Sequence, residues 1–240
     1  MRGGRGGRGG GAGGGHPGAP ACRGRGGTTV PRGEGGGHEG GVLHDGARRQ
    51  RMTEQYLEGG FADPSRAAAH AFRAALQALS RPGRIETLSG ATPPVPCSNA
   101  AGALLLTLCD GTTPVHLAPS HDTEALRGWI TFHSGAPLVP AEAAAFALGT
   151  WDALQPIHRF AIGTAEYPDR AATLIVEMPA LSATGARLTG PGIETEARLS
   201  LPETAAFQQN RARFPLGFDC FFTSGDRVAG LPRSTRVEEV

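Results

Sequence analysis

The chain has 240 residues, and its 23 cationic side chains nearly balance 22 acidic ones. All 23 are arginine, which excludes a lysine Schiff base to pyridoxal phosphate and the lysine of a P-loop, since guanidinium stays protonated and is no nucleophile. The charge is unevenly spread: residues 1–51 hold nine arginines against three acids, about +6, and residues 52–240 hold fourteen against nineteen, about −5, a poor balance for general nucleic-acid binding.

Residues 1–51 carry 21 of the 37 glycines and almost no large apolar side chains. Such a segment buries too little surface to offset its ordering entropy, so it reads as a disordered Gly/Arg-rich leader. Met52 is the next methionine after Met1, and the favoured reading takes it as the true start of a folded domain, 52–240. The alternative is an RGG-type tail that grips RNA through arginine charge and stacking.

Asp63-Pro64 marks a helix start, with an N-cap acceptor followed by proline at the first helical position. Ala67, Ala68, Ala71, Phe72, Ala75, Leu76 and Leu79 follow at helical spacing, and the alanines predict close packing. Arg81-Pro82-Gly83 ends this helix. Ser98-Asn99 opens a second apolar helix through Leu104 to Leu108, and Val115–Leu117 is a short strand. Ser120 is read as the cap of a helix carrying Leu126, Trp129 and Ile130. The stretch 142–148 is ambiguous between helix and strand.

The later half turns to strands. Thr173–Met178 is a compact apolar run. Leu181–Thr189 and Ile193–Leu201 flank Gly190-Pro191-Gly192, whose order of proline and glycine is type II turn chemistry, so the pair reads as a β-hairpin. Pro202-Glu203 opens a helix to about Arg213, and Phe218–Thr223 and Arg227–Leu231 are the last strands. The fold expected is α/β, a single domain with a mixed β-sheet flanked by helices.

Three short motifs hold the candidate substrate- and anion-binding residues, and a fourth is a glycine turn. Arg81 and Arg84 flank a helix end in SRPGR, where the dipole favours cations, so any anion would be held by the arginine forks. GPGI, residues 190–193, suits a plain turn or a close approach of backbone to ligand. In FPLGFD, Asp219 could act as a general base, bind a ribose hydroxyl, hydrogen-bond a neighbouring backbone, or pair with an arginine. In LPRSTRV, Arg233 and Arg236 lie on opposite faces if the segment is extended, and share one pocket only if the chain turns. EYP, residues 166–168, reads as a turn. Histidines and the four scattered cysteines (Cys22, Cys97, Cys109, Cys220) lack metal or iron–sulfur spacing, and no apolar run approaches the ~20 residues of a membrane span. A cytoplasmic location is the expectation.

These motifs, with GFADP (60–64), WITFHSGAP (129–137) and GTAEYPDR (163–170), occur in an order that resembles the H subunit of the bacterial phosphonate carbon–phosphorus lyase system, over residues 57–240. The resemblance implies a fold related to pyridoxal-phosphate-dependent transferases without the cofactor, and a homodimer within a complex with the G, I, J and K subunits. It further implies, with G, I and L, transfer of ribose triphosphate from ATP to an alkyl phosphonate with release of adenine. A purely structural scaffold subunit is the competing expectation.

Overall fold

The computed structural model describes residues 56–239, which fall in one compact unit of the chain. The leader 1–51 lies outside the described residues.

Helix α1 spans Pro64–Ser80, opened as expected by Asp63, whose carboxylate accepts the Arg66 amide at 3.3 Å, and closed at Arg81. Strand β1 (Ile85–Thr87) follows, a three-residue element the periodicity did not reveal. Helix α2 (Asn99–Leu108) is capped by Ser98, and β2 is Val115–Leu117. Helix α3 (Glu124–His133) starts one turn later than expected, at the Thr123 cap. The reason is local: the Ser120 hydroxyl is engaged by the His121 ring at 2.9 Å and by the Thr150 amide at 3.1 Å, while Thr123 Oγ1 accepts the Leu126 amide.

The ambiguous stretch resolves into a 3-10 turn (Ala141–Ala143) and strand β3 (Phe146–Thr150), followed by the single turn α4 (Trp151–Leu154). Strand β4 is Thr173–Glu177. The hairpin exists, with shorter arms than the apolar runs suggested: β5 (Ala186–Thr189) pairs antiparallel with β6 (Ala197–Leu199). The Gly190-Pro191-Gly192 turn is type II as predicted, with Gly192 at φ 81° and the Ile193 amide bonded to Gly190 at 3.2 Å. Helix α5 is Ala205–Ala212, later than Pro202. Strands β7 (Asp219–Ser224), β8 (Arg227–Leu231) and β9 (Arg236–Glu238) complete the chain.

The main sheet has the order β1-β8-β7-β4-β3-β2. Strands β2, β3, β4 and β7 are mutually parallel, and β8 runs antiparallel to both β7 and β1. Five strands therefore share one direction and β8 alone opposes them. A second antiparallel sheet has the order β6-β5-β9.

Both faces of the main sheet are covered, and alternation along each strand divides the core. Ile175 and Phe221 join Leu104, Leu105, Leu126, Trp129 and Ile130 under α1–α3. Leu174, Val176 and Phe222 join Trp151, Leu154 and Phe207 on the opposite face, with Leu188, Leu199 and Val237 of the small sheet. Complete burial of Phe221 or Phe222 contributes roughly 1.5–3 kcal/mol each. The mixed sheet flanked by helices is the architecture expected. The alanine face of α1 packs directly on β8: Ala71, Ala75 and Ala78 are buried, and a methyl on Gly230 would lie 2.6 Å from the Ala78 backbone.

Candidate functional site

Motifs far apart in sequence meet where the parallel strands begin. Asp219 opens β7 and Arg233 follows β8, so the antiparallel pairing of those strands brings them together. Pro232 and Thr235 close a turn through a 2.9 Å backbone hydrogen bond. Of the two readings open for LPRSTRV, extended or turned, the chain takes the turn, which folds Arg233 back onto Asp219. The Asp219 carboxylate accepts the backbone amide of Arg233 (2.8 Å) and its Nε (3.1 Å) on Oδ1, and Nη2 (2.5 Å) on Oδ2. Nη1 donates to the Pro168 carbonyl at 2.7 Å. The Arg233 and Asp219 side chains are 13% and 25% exposed, so water competes weakly for this bidentate pair. Of the readings open for Asp219, the structure realises both the arginine pair and a backbone hydrogen bond.

The other three candidates diverge. Arg84 is paired through Nε with Glu86 at 2.5 Å. Arg81, at the end of α1, and Arg236, at the start of β9, are exposed and have no carboxylate within 4 Å among the described residues. The GPG turn is wedged between their segments. A methyl on Gly192 would stand 1.9 Å from the Ser80 carbonyl oxygen, and one on Gly190 would stand 3.3 Å from that of Ser234. Close backbone approach is thus the role of these glycines, and the neighbour is protein. The five candidates belong to one region but do not assemble a single arginine-lined pocket.

The 163–170 loop completes this end. Gly163, at φ 79°, lies against the Pro168 backbone. Thr164 and Tyr167 bond reciprocally: the Tyr167 amide donates to Thr164 Oγ1 (3.0 Å), and the Thr164 amide to the Tyr167 carbonyl (3.1 Å). The Arg170 guanidinium lies 4.1 Å from the Tyr167 ring centre. EYP is a turn as expected, but the stacked arginine was not foreseen.

Sequence reasoning also missed Asn210. Its buried amide donates to the Phe218 carbonyl (2.8 Å) and accepts the Phe218 amide (3.0 Å), fixing the approach to Asp219. Beside it a cavity of about 240 Å³ is lined by polar groups including Gln155, His158, Glu203, Gln209 and Arg213, with Phe218.

A second polar cluster, also missed, sits at the opposite ends of the parallel strands. Glu177 closes β4, and its carboxylate accepts the Ser98 amide at the start of α2 at 2.7 Å. This chain's own acid therefore occupies the position at a helix N-terminus that suits an anion. Burial raises the Glu177 pKa, opposed by hydrogen bonds from Ser98 and Thr223. Burial, and then the Glu177 charge, push the neighbouring Cys97 thiol well up. His121 is only 2% exposed, and burial lowers its pKa against the opposing pull of the Pro96 carbonyl. Glu177 lies 79 residues from Ser98, and nothing in the spacing of these groups announces the cluster.

Cys109 is likewise buried, its thiol pushed up to about 12 chiefly by desolvation, and Cys220 is raised by the same cause. Among the described residues no group of three His, Cys, Asp or Glu side chains is placed to hold a metal ion, and no helix is long and apolar enough to cross a membrane.

A family model described as "Bacterial phosphonate metabolism protein (PhnH)" matches residues 59–238, a span that contains all of the converging motifs. The chain is 41% identical over 194 residues to the "Alpha-D-ribose 1-methylphosphonate 5-triphosphate synthase subunit PhnH" of Rhizobium meliloti (strain 1021), covering 77% of this chain and 96% of that protein. It is 32% identical over 181 residues to the "Putative C-P lyase subunit protein HtxG" of Stutzerimonas stutzeri, covering 70% and 84%.

Proposed function

The chain belongs to the PhnH family of bacterial phosphonate metabolism proteins, and from that premise we propose that it works as a subunit of a carbon–phosphorus lyase complex, in a ribose 1-methylphosphonate 5-triphosphate synthase. The observation that carries this reading is the match across residues 59–238, whose motifs converge around Asp219 and Arg233.

In the proposed reaction a phosphonate oxygen attacks C1′ of ATP and adenine leaves. The partners are the G and I subunits with L, inside an assembly that also holds J and K, and the chain itself forms a homodimer in the cytoplasm. Such a reaction needs polyanions held in line and charge stabilised at the sugar. Of the five candidates, Arg81 and Arg236, exposed on either side of the GPG turn, are the guanidiniums free for the first task. Arg233 has a different part: it ties the loop at Pro168, the start of β7 and the turn after β8 into one rigid unit.

No cofactor is proposed on this chain. A protein without lysine has no amine for a pyridoxal phosphate Schiff base, and Glu177 already occupies the start of α2. The relation to pyridoxal-phosphate-dependent transferases remains part of this proposal.

The test is adenine release from ATP plus methylphosphonate by purified G, I and L subunits, with and without this chain. Release only in its presence is expected, and equal release without it would overturn the reading. A scaffold role without substrate contact is the second reading, favoured by the Arg233 hydrogen bonds ending on protein acceptors. It predicts that Arg81→Ala and Arg236→Ala leave release unchanged in an intact complex.

A further inference from the structure

Two neighbouring loops present the same device. In the 163–170 loop, Tyr167 is 47% exposed with the Arg170 guanidinium stacked on it. After α5, Phe214 is 50% exposed with the Arg211 guanidinium 5.0 Å from its ring centre. The loops are stitched together: the Gly217 amide donates to the Ile162 carbonyl at 2.9 Å, and Arg233 links Pro168 to Asp219. Each is stiff for its own reason, the Thr164–Tyr167 bonds in one and the Asn210 clamp on Phe218 in the other.

This surface is mildly cationic on an acidic body. Arg170, Arg211 and Arg213 have no carboxylate within 4 Å among the described residues, and the Arg211 Nε is buried without an acceptor. Glu166 and Asp169 lie in the same loops, so the patch is about +1 on a body of about −5. Exposed aromatic rings beside unpaired arginines are the side chains that dominate protein interfaces, and rings already held in place lose little freedom on binding.

We propose that these paired loops are a docking surface for another protein subunit, one that presents carboxylates around an apolar centre. The proposal rests on the reading of this chain as a complex subunit and names where that contact is made. Tyr167 and Phe214 supply the apolar contact, and Arg170, Arg211 and Arg213 meet the carboxylates. Screening makes the contact weaker as salt rises.

The experiment mixes the full chain with purified G, I, J and K subunits and follows co-elution by size exclusion with light scattering, at low and high salt. The variants are Tyr167→Ala with Phe214→Ala, and separately Arg170→Glu with Arg213→Glu, each checked for folding by circular dichroism. Phe132→Ala, which alters an exposed ring on α3, is the control. Wild type and control are expected to co-elute, with binding weakened at least tenfold in both double variants. Folded variants that co-elute like wild type would overturn the docking surface while leaving complex membership intact. Wild type that never co-elutes would overturn the subunit reading itself. Full co-elution with lost adenine release would overturn docking in favour of a small-molecule site, and dissociation of a dimer of the chain alone by these variants would overturn it in favour of a self-interface.

Discussion

Gly192 rests against the carbonyl of Ser80, so closely that a methyl group would lie 1.9 Å from that oxygen. Its φ of 81° is also one that an L side chain adopts only at a cost. Gly192→Ala should therefore destabilise the protein by about 2–4 kcal/mol, measured by urea unfolding. A neutral result would mean that the GPG turn lifts freely off the end of α1.

Asp219 and Arg233 should behave as one unit. Removing either leaves the other half-buried without its partner, with an expected loss of roughly 2–3 kcal/mol for each alanine variant. The double variant should cost less than the two combined, with a coupling of about 1–3 kcal/mol. Additive losses in that cycle would show that the pair contributes nothing beyond its separate contacts.

Asn210→Ala removes both hydrogen bonds to Phe218 inside the core, at an expected cost of roughly 2–3 kcal/mol. Asn210→Asp retains the acceptor for the Phe218 amide but loses the donor to its carbonyl. Urea unfolding should place Asn210→Asp below wild type.

Glu177 gives a pH dependence of defined sign. Its pKa is raised in the folded state, so folding favours the protonated form. That contribution is fully present below the unfolded carboxylate pKa and is lost as pH rises through the folded value. Glu177→Gln does not ionise there, so its stability relative to wild type should rise across that window and level off above it. Unfolding curves from pH 3 to 8 read this directly, and a parallel pair of profiles would sink the assignment.

The thiols of Cys97, Cys109 and Cys220 are buried with raised pKa values. Only thiolate reacts readily. Peptide mapping after iodoacetamide at pH 8 should find these three unmodified in native protein and modified in guanidinium.

What the sequence made legible was local chemistry. Asp63-Pro64, Ser98-Asn99 and Gly-Pro-Gly specify caps and a turn within a few residues, and the structure has them there. Strands β1 and β9 have only three residues each and acquire their identity from distant partners, so periodicity passes over them. For the same reason Asp219 and Arg233 could be named as candidates but not joined. Their contact depends on the Pro232 turn and on the register of β7 with β8. The Glu177–Ser98 bond spans 79 residues, and no spacing rule reaches that far.

The alanine seam between α1 and β8 has a mechanical consequence. Where a helix meets a strand through long side chains, rotamer changes let it tilt or slide. Here Ala78 meets a strand whose Gly230 leaves room for backbone alone, and the other buried residues of the helix, Ala71 and Ala75, are as short. There are no rotamers to exchange, and a shift along the axis drives main chain into main chain. Helix α1 and the Arg81 turn at its end are therefore locked to the sheet as one solid piece. A force applied at that turn by an associated molecule passes to β8, and through it to the Arg233 turn, with no slack between.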